Sequence, residues 1–199
     1  MRTLIIQLPL GLPTQTTTYA HAWVQAGSAQ PLQLQWAPAN LLPAADKNTE
    51  TVVLLPALAL SWHRVELPPG LHKQPARLQA ALQGLLEDRL LDDPAQLHMA
   101  LQPGWQNSPR PWVTVCDRAW LNAHLHSLEQ AGLTVTRLVP ELNPTTEAPQ
   151  LTALGDASSA WLWATDPEHG VWGQPIQSRE GRGQGIGMSA EELQNANIL

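Results

Sequence analysis

His124, His126 and Cys116 are the first residues in this chain whose types could do chemistry. Two histidines two positions apart suggest a metal pair. On a helix, however, such positions point about 200° away from each other and cannot hold one ion. They read as surface histidines of a helix. Cys116 closes the apolar run Trp112–Cys116 and reads as a small core residue. Being the only cysteine, it excludes a disulfide framework and any multi-cysteine metal site. Gly181, Gly183, Gly185 and Gly187 form the most glycine-dense stretch. They lack both the lysine–hydroxyl ending and the spacing of a phosphate-binding loop, so they read as a loop or bent hairpin. Asp92 and Asp93 stand before Pro94 and read as helix-end and turn chemistry. No nucleophile elbow, zinc-protease helix or paired-cysteine motif is present.

Arg89 is less ordinary. It falls within the apolar stripe of the helix expected over 74–91, close to Leu82 and Leu85. One reading puts it in the last turn, favouring the helix dipole and snorkelling or pairing with a carboxylate. The other makes it a partner-facing or interlobe ion pair. Glu87, Asp88 and Arg89, with Leu86 beside them, have the part-apolar, part-charged character of a docking surface. These four are the candidate partner-binding residues.

The elements that position these residues belong to an ordinary folded chain. It has 199 residues, 43% of them hydrophobic and 14% charged. A chain of that length buries roughly 70% of its unfolded surface and needs no metal or disulfide to hold a core. Eleven basic residues against seventeen acidic give a net charge of −6. With no basic stripe to neutralise phosphates, the composition speaks against nucleic-acid binding. Nine tryptophans, one tyrosine and no phenylalanine make tryptophan the main aromatic core residue. No apolar run reaches the ~18–20 residues that span a bilayer, and the N-terminus carries no signal-peptide apolar region.

Apolar runs and alternation predict strands over 3–8, 17–24, 32–36, 52–55, 61–67, 97–101, 112–116 and 134–139. The first three form a meander. A helix is expected over 74–91, with Leu78, Ala81, Leu82 and Leu85 facing the core. A second is expected over 118–131, capped by Asp117, stopped by Gly132 and striped by Leu121, Leu125 and Leu128. Residues 143–155 read as a Pro/Thr-rich connection, 160–172 as a hairpin carrying Trp161, Trp163 and Trp172, and 189–193 as a short helix. Mixed strands with few helices mean α/β or α+β.

Residues 52–141 carry a resemblance. Val52–Pro56 is followed by Ser61-Trp62-His63-Arg64-Val65-Glu66-Leu67-Pro68, then by the run from Ala80 through Leu85-Leu86-Glu87-Asp88-Arg89 to Pro94 and by Leu97-His98-Met99-Ala100-Leu101. Last come Val115-Cys116-Asp117-Arg118-Ala119-Trp120-Leu121 and Ala131-Gly132-Leu133 to Val139-Pro140-Glu141. This pattern resembles the cytoplasmic domain of the type II secretion system protein L family. It covers about half the chain well and the rest loosely.

The resemblance implies an actin-like (ribonuclease H-like) α/β fold with mixed sheets, an inserted small subdomain and an incomplete second lobe. Residues 1–56 and 107–140 would form the first lobe, 57–106 the inserted subdomain, and 141–199 the second lobe with a polar tail. It also implies a non-enzymatic scaffold at the cytoplasmic face of the bacterial inner membrane. Its expected partners are the secretion ATPase (protein E), protein M and protein F, with a second copy of the chain as a further candidate. The family's transmembrane helix and periplasmic domain have no counterpart in these residues, so the chain reads as a cytoplasmic fragment. Nucleotide-binding actin relatives place an Asp-x-Gly after the first strand. Here that place reads Gln7-Leu8-Pro9-Leu10-Gly11, without a carboxylate and with a proline that removes an N–H donor. Gly155 to Ser159 is the nearest counterpart of the second phosphate loop. The expectation is a chain without nucleotide or other cofactor. The alternatives are an actin-like nucleotide-binding protein resembling the type IV pilus protein M, and a self-assembling structural module.

Overall fold

A computed structural model describes residues 2–25, 33–44, 46, 48–68, 70–71, 74–145, 148–155 and 160–176. The expected features at Gly181–Gly187 and 189–193, and residues 156–159 of the expected second loop, lie outside them.

The first strand, β1 (Arg2–Gln7), alternates, and its inward residues Leu4 and Ile6 are fully buried. It pairs antiparallel with β2 (Thr18–Gln25), which pairs antiparallel with β3 (Gln35–Pro38). The expected meander is therefore present, with its third strand displaced toward the C-terminus. On its other side β1 pairs parallel with β4 (Thr49–Leu55), and β4 pairs parallel with β8 (Arg137–Pro140). The result is a five-stranded sheet in the order β3-β2-β1-β4-β8.

Helix α2 (Arg118–Gln130) covers this sheet, packing Trp120, Leu121 and Leu128 against Leu4, Ile6, Tyr19 and Val53. Its ends follow local chemistry. The Asp117 carboxylate accepts the Trp120 backbone N–H at 2.7 Å. At the other end Gly132, at φ +81°, lets Gly132 and Leu133 donate to the carbonyls of Glu129 and Leu128.

Between β4 and α2 lies a second, three-stranded antiparallel sheet in the order β5-β7-β6. It is built from β5 (Ser61–Arg64), β6 (Leu97–Leu101) and β7 (Trp112–Asp117) and covered by α1 (Pro75–Leu86). Strand β7, expected within the first lobe, is hydrogen-bonded between β5 and β6. Its two faces serve different cores. Val113 and Val115 pack under α1, whereas Cys116 joins the core beneath α2.

Helix α1 ends earlier than its pattern suggests. Residues Glu87–Arg89 tighten into a 3₁₀ turn and Leu90 is extended. The core stripe is also rotated. Leu82 and Leu86 are buried, one helical turn apart, while Leu85, expected in the core, is 41% exposed.

The third sheet, β9 (Gln150–Gly155), β10 (Ala160–Asp166) and β11 (Gly170–Ile176), is antiparallel. The β10–β11 hairpin holds all three expected tryptophans, and the Trp161 and Trp163 rings stack at 5.8 Å. Strand β9 lies within the stretch expected to be a connection. Gly173 lies against the face of Trp163, where an added Cβ would come within 2.6 Å of the ring. Trp163 meets Trp62 and Trp112 of the second sheet in a shared cluster with Ala57.

Candidate functional site

Because β1, β4 and β8 run parallel, their carboxyl ends gather at one edge, where open α/β sheets place ligands. One residue organises this edge. The backbone N–H of Glu141 donates to the Leu55 carbonyl at 2.9 Å, which aims its side chain back across the strand ends. Its Oε1 accepts the Gln7 side-chain amide at 2.9 Å, and its Oε2 accepts the Ala57 backbone N–H at 3.1 Å. Both carboxylate oxygens thus lock β1 to the segment after β4. Gln7 suits this contact because its amide can donate. A carboxylate at position 7 would set two negative charges within hydrogen-bond distance.

A cleft of about 790 Å³ opens beside this lock, between the first and third sheets. Its walls include Leu8, Leu10, Trp36, Leu58, Trp161 and Trp163, and among the described residues Glu141 is the one charged residue lining it. Phosphate binding at such an edge uses convergent N–H groups and cations. The described wall here is apolar and acidic.

The N-terminal segment of that wall is held in place by a buried network. His124, expected on the surface, is fully buried, because with Trp120 and Leu128 it forms one i, i+4, i+8 row of α2. Its Nε2 lies 2.9 Å from the Gly11 carbonyl and its Nδ1 3.0 Å from the Tyr19 hydroxyl. A carbonyl only accepts, so Nε2 carries the proton and Tyr19 donates to Nδ1. Trp120 donates its indole N–H to the Pro9 carbonyl at 3.1 Å. Burial holds the His124 pKa below its ordinary value, with the Gly11 and Pro9 carbonyls opposing that shift. His126 is exposed and faces Gln130. The two histidines point apart, as their spacing requires.

The four expected docking residues separate. Glu87, Asp88 and Arg89 are exposed on the 3₁₀ turn, whereas Leu86 is fully buried beneath α1 and presents no surface to a partner. Arg89 forms no ion pair among the described residues. Its Nη1 donates to the Arg64 carbonyl at 2.6 Å, tying the turn to the end of β5. The Asp93 carboxylate caps the next short turn through the Ala95 N–H, as its place before Pro94 suggests.

Two further groups merit chemical scrutiny. On β5, Ser61 Oγ lies 3.0 Å from His63 Nε2, the spacing of a nucleophile and base. No carboxylate among the described residues orients the imidazole, and its pKa is lowered by burial and by Arg89. Cys116 is buried and its thiol is pushed up to about 11, by burial first and Asp117 second. We expect Cys116 in the folded chain to resist iodoacetamide at pH 7.5 and to react fully once urea unfolds it, since the thiolate is the nucleophile. Rapid labelling of the native chain, followed by mass spectrometry, would contradict this. Among the described residues, no group of three His, Cys, Asp or Glu could hold a metal ion. Nor is any helix there long and apolar enough to cross a membrane.

Glu141 was not among the expected site residues. The available signal was a lone carboxylate directly after a strand that stops at a proline.

Comparison with known proteins adds an independent line. The family described as type II secretion system (T2SS), protein L matches residues 14–171. Type II secretion system protein L of Vibrio cholerae serotype O1 is 32% identical over 108 residues, covering 54% of this chain and 25% of that protein. The Klebsiella pneumoniae protein of the same name is 31% identical over 121 residues, covering 61% and 28%. The chain thus spans about a quarter of the length of these relatives. Among solved structures, the cytoplasmic domain of EpsL, an inner membrane component of the Vibrio cholerae type II secretion system, superposes with a TM-score of 0.63 at 22% identity. That match covers 89% of this chain and 71% of that one. The PilM–PilN type IV pilus biogenesis complex matches with a TM-score of 0.50 at 14% identity, covering 87% and 61%. These two likenesses show a shared fold, the mixed α/β architecture with several sheets described above.

Proposed function

Since the chain belongs to the type II secretion system protein L family, we propose that it is a non-enzymatic scaffold at the cytoplasmic face of the inner membrane. It recruits the secretion ATPase, protein E, through protein–protein contacts, with proteins M and F as neighbours in the same platform. The observation that carries this reading is the Gln7–Glu141–Ala57 lock. The edge where an actin-like relative would cradle phosphates is instead closed by a carboxylate with both oxygens in use. The apolar, acidic wall beside it favours peptide over nucleotide.

The competing reading is a nucleotide-binding protein like the type IV pilus protein M. Equilibrium binding of ATP separates the two. We expect no saturable binding at micromolar ATP, which corresponds to about −8 kcal/mol. Tight binding that a substitution within residues 155–159 abolishes would establish the rival. Recruitment itself is tested by the affinity of the purified chain for the N-terminal domain of the ATPase. No interaction at tens of micromolar would remove the scaffold reading and leave the self-assembling module.

Glu87 and Asp88 are our expected contact residues on the exposed turn. Their joint reversal, Glu87→Lys with Asp88→Lys, should leave stability within about 0.5 kcal/mol, as at most surface positions. It should weaken ATPase binding, because reversed charges facing a matched patch repel. Unchanged melting with unchanged affinity would move the contact elsewhere on the molecule.

A further inference from the structure

Three arginines from separate segments converge on one cleft. Arg64 ends β5, Arg89 closes the turn after α1, and Arg110 precedes β7. With Trp62, Trp112 and the Glu168–His169 turn they line a cavity of about 570 Å³ between the second and third sheets.

The guanidinium groups of Arg64 and Arg89 are held in place. That of Arg64 lies 5.1 Å from the centre of the Trp112 ring, a cation–π contact. Arg89 is tied to the Arg64 carbonyl. Arg110 faces Glu66 at 3.3 Å, with both side chains largely exposed, where such a pair contributes little.

Neither Arg64 nor Arg89 has a carboxylate within ion-pair distance among the described residues. Among the described residues, the buried Arg64 Nε–H has no acceptor, and neither has the indole N–H of Trp62, a residue only 9% exposed. Native proteins seldom leave buried donors unmatched. A half-buried guanidinium without a counter-charge is a cost that an incoming anion relieves. The planar fork of arginine fits a carboxylate in two parallel hydrogen bonds. On a chain of net charge −6, such a spot selects an acidic partner.

We propose that this cleft is a carboxylate-binding site that takes an acidic side chain of a protein partner. The partner as the source of the carboxylate rests on the scaffold reading above; the site itself does not.

The test is an NMR titration of the ¹⁵N-labelled chain with acetyl-tetraglutamate amide, acetyl-tetraglutamine amide and inorganic phosphate. The indole signals of Trp62 and Trp112, assigned through W62F and W112F, are followed. The glutamate peptide should shift both signals saturably, the glutamine peptide neither, and added salt should weaken the effect. Arg64→Gln and Arg89→Gln should each weaken binding about tenfold or more, while Arg77→Gln, on the exposed face of α1, should not. Arg89 is exposed, so its variant carries the test if Arg64→Gln fails to fold. An equal response to the glutamine peptide, or unchanged affinity in Arg89→Gln, overturns the site. Tighter binding of phosphate than of the glutamate peptide overturns the carboxylate assignment. ATPase binding measured in parallel separates the two readings. Peptide binding without ATPase binding keeps the site and removes recruitment, whereas ATPase binding without peptide binding does the reverse.

Discussion

Replacing Leu86 by alanine should destabilise the second sheet and its helix by about 2–5 kcal/mol, while the same change at Leu85 should stay below about 1 kcal/mol. The contrast comes from one helical step. Leu86 is fully buried against Val65, Leu97, Met99, Val113 and Val115, whereas Leu85 is 41% exposed. The expected loss is large because α1 has little else to hold it. Gln74 at its start makes no side-chain cap, no acidic residue lies in its first turn, and no basic residue lies in its last. A 12-residue helix of this kind is marginal by itself and depends on its buried face. Urea unfolding followed by tryptophan fluorescence checks this, since Trp112 lies in the same sheet. A shifted midpoint at constant slope marks a change in stability. If Leu85→Ala proved as damaging as Leu86→Ala, the packed face of α1 would have to be the one that simple periodicity suggests.

That one-step rotation shows where the sequence is readable. Signals confined to a few neighbours were legible. The apolar run of β1, the alternation of β2, the Asp117 cap, the Gly132 stop and the tryptophan hairpin all appear where pattern places them. The end of α1 was not legible: the 3₁₀ turn that follows it is tied by Arg89 to the Arg64 carbonyl, twenty-five residues away in sequence, a contact no local window contains. Strand β9 was hidden for another reason. It is an edge strand with mostly exposed side chains, so it carries no buried stripe to read. The Glu141 lock needs three segments brought together by two parallel pairings, which no local window contains. The family, by contrast, was legible from the Leu-Leu-Glu-Asp helix and the strands around it. Spacing and composition alone left function open.

His124 should be the costliest polar residue to remove, and it gives the chain a direction in pH. His124→Ala should destabilise by about 2–4 kcal/mol, since it opens a cavity and strands the Tyr19 hydroxyl and the Gly11 carbonyl. The sign of the pH effect follows from the lowered His124 pKa. Below the ordinary histidine value of about 6.5, the unfolded chain takes up a proton that the folded chain resists. The stabilisation is therefore fully present above pH ~6.5 and is lost as pH falls through the depressed folded value. His63 and His98 are shifted the same way by burial, so they add to the slope. The melting midpoint of the wild-type chain should drop from pH 7 to pH 5. His124→Gln, which cannot titrate, should start lower at pH 7 and fall less steeply. A wild-type midpoint that held steady or rose toward pH 5 would mean that His124 is not buried neutral. The assignment of Tyr19 as donor to Nδ1 would then fail with it. A shallower slope in His124→Gln would instead identify this imidazole as the acid-sensitive pin that holds Pro9 to Gly11, and with them the wall of the cleft, against α2.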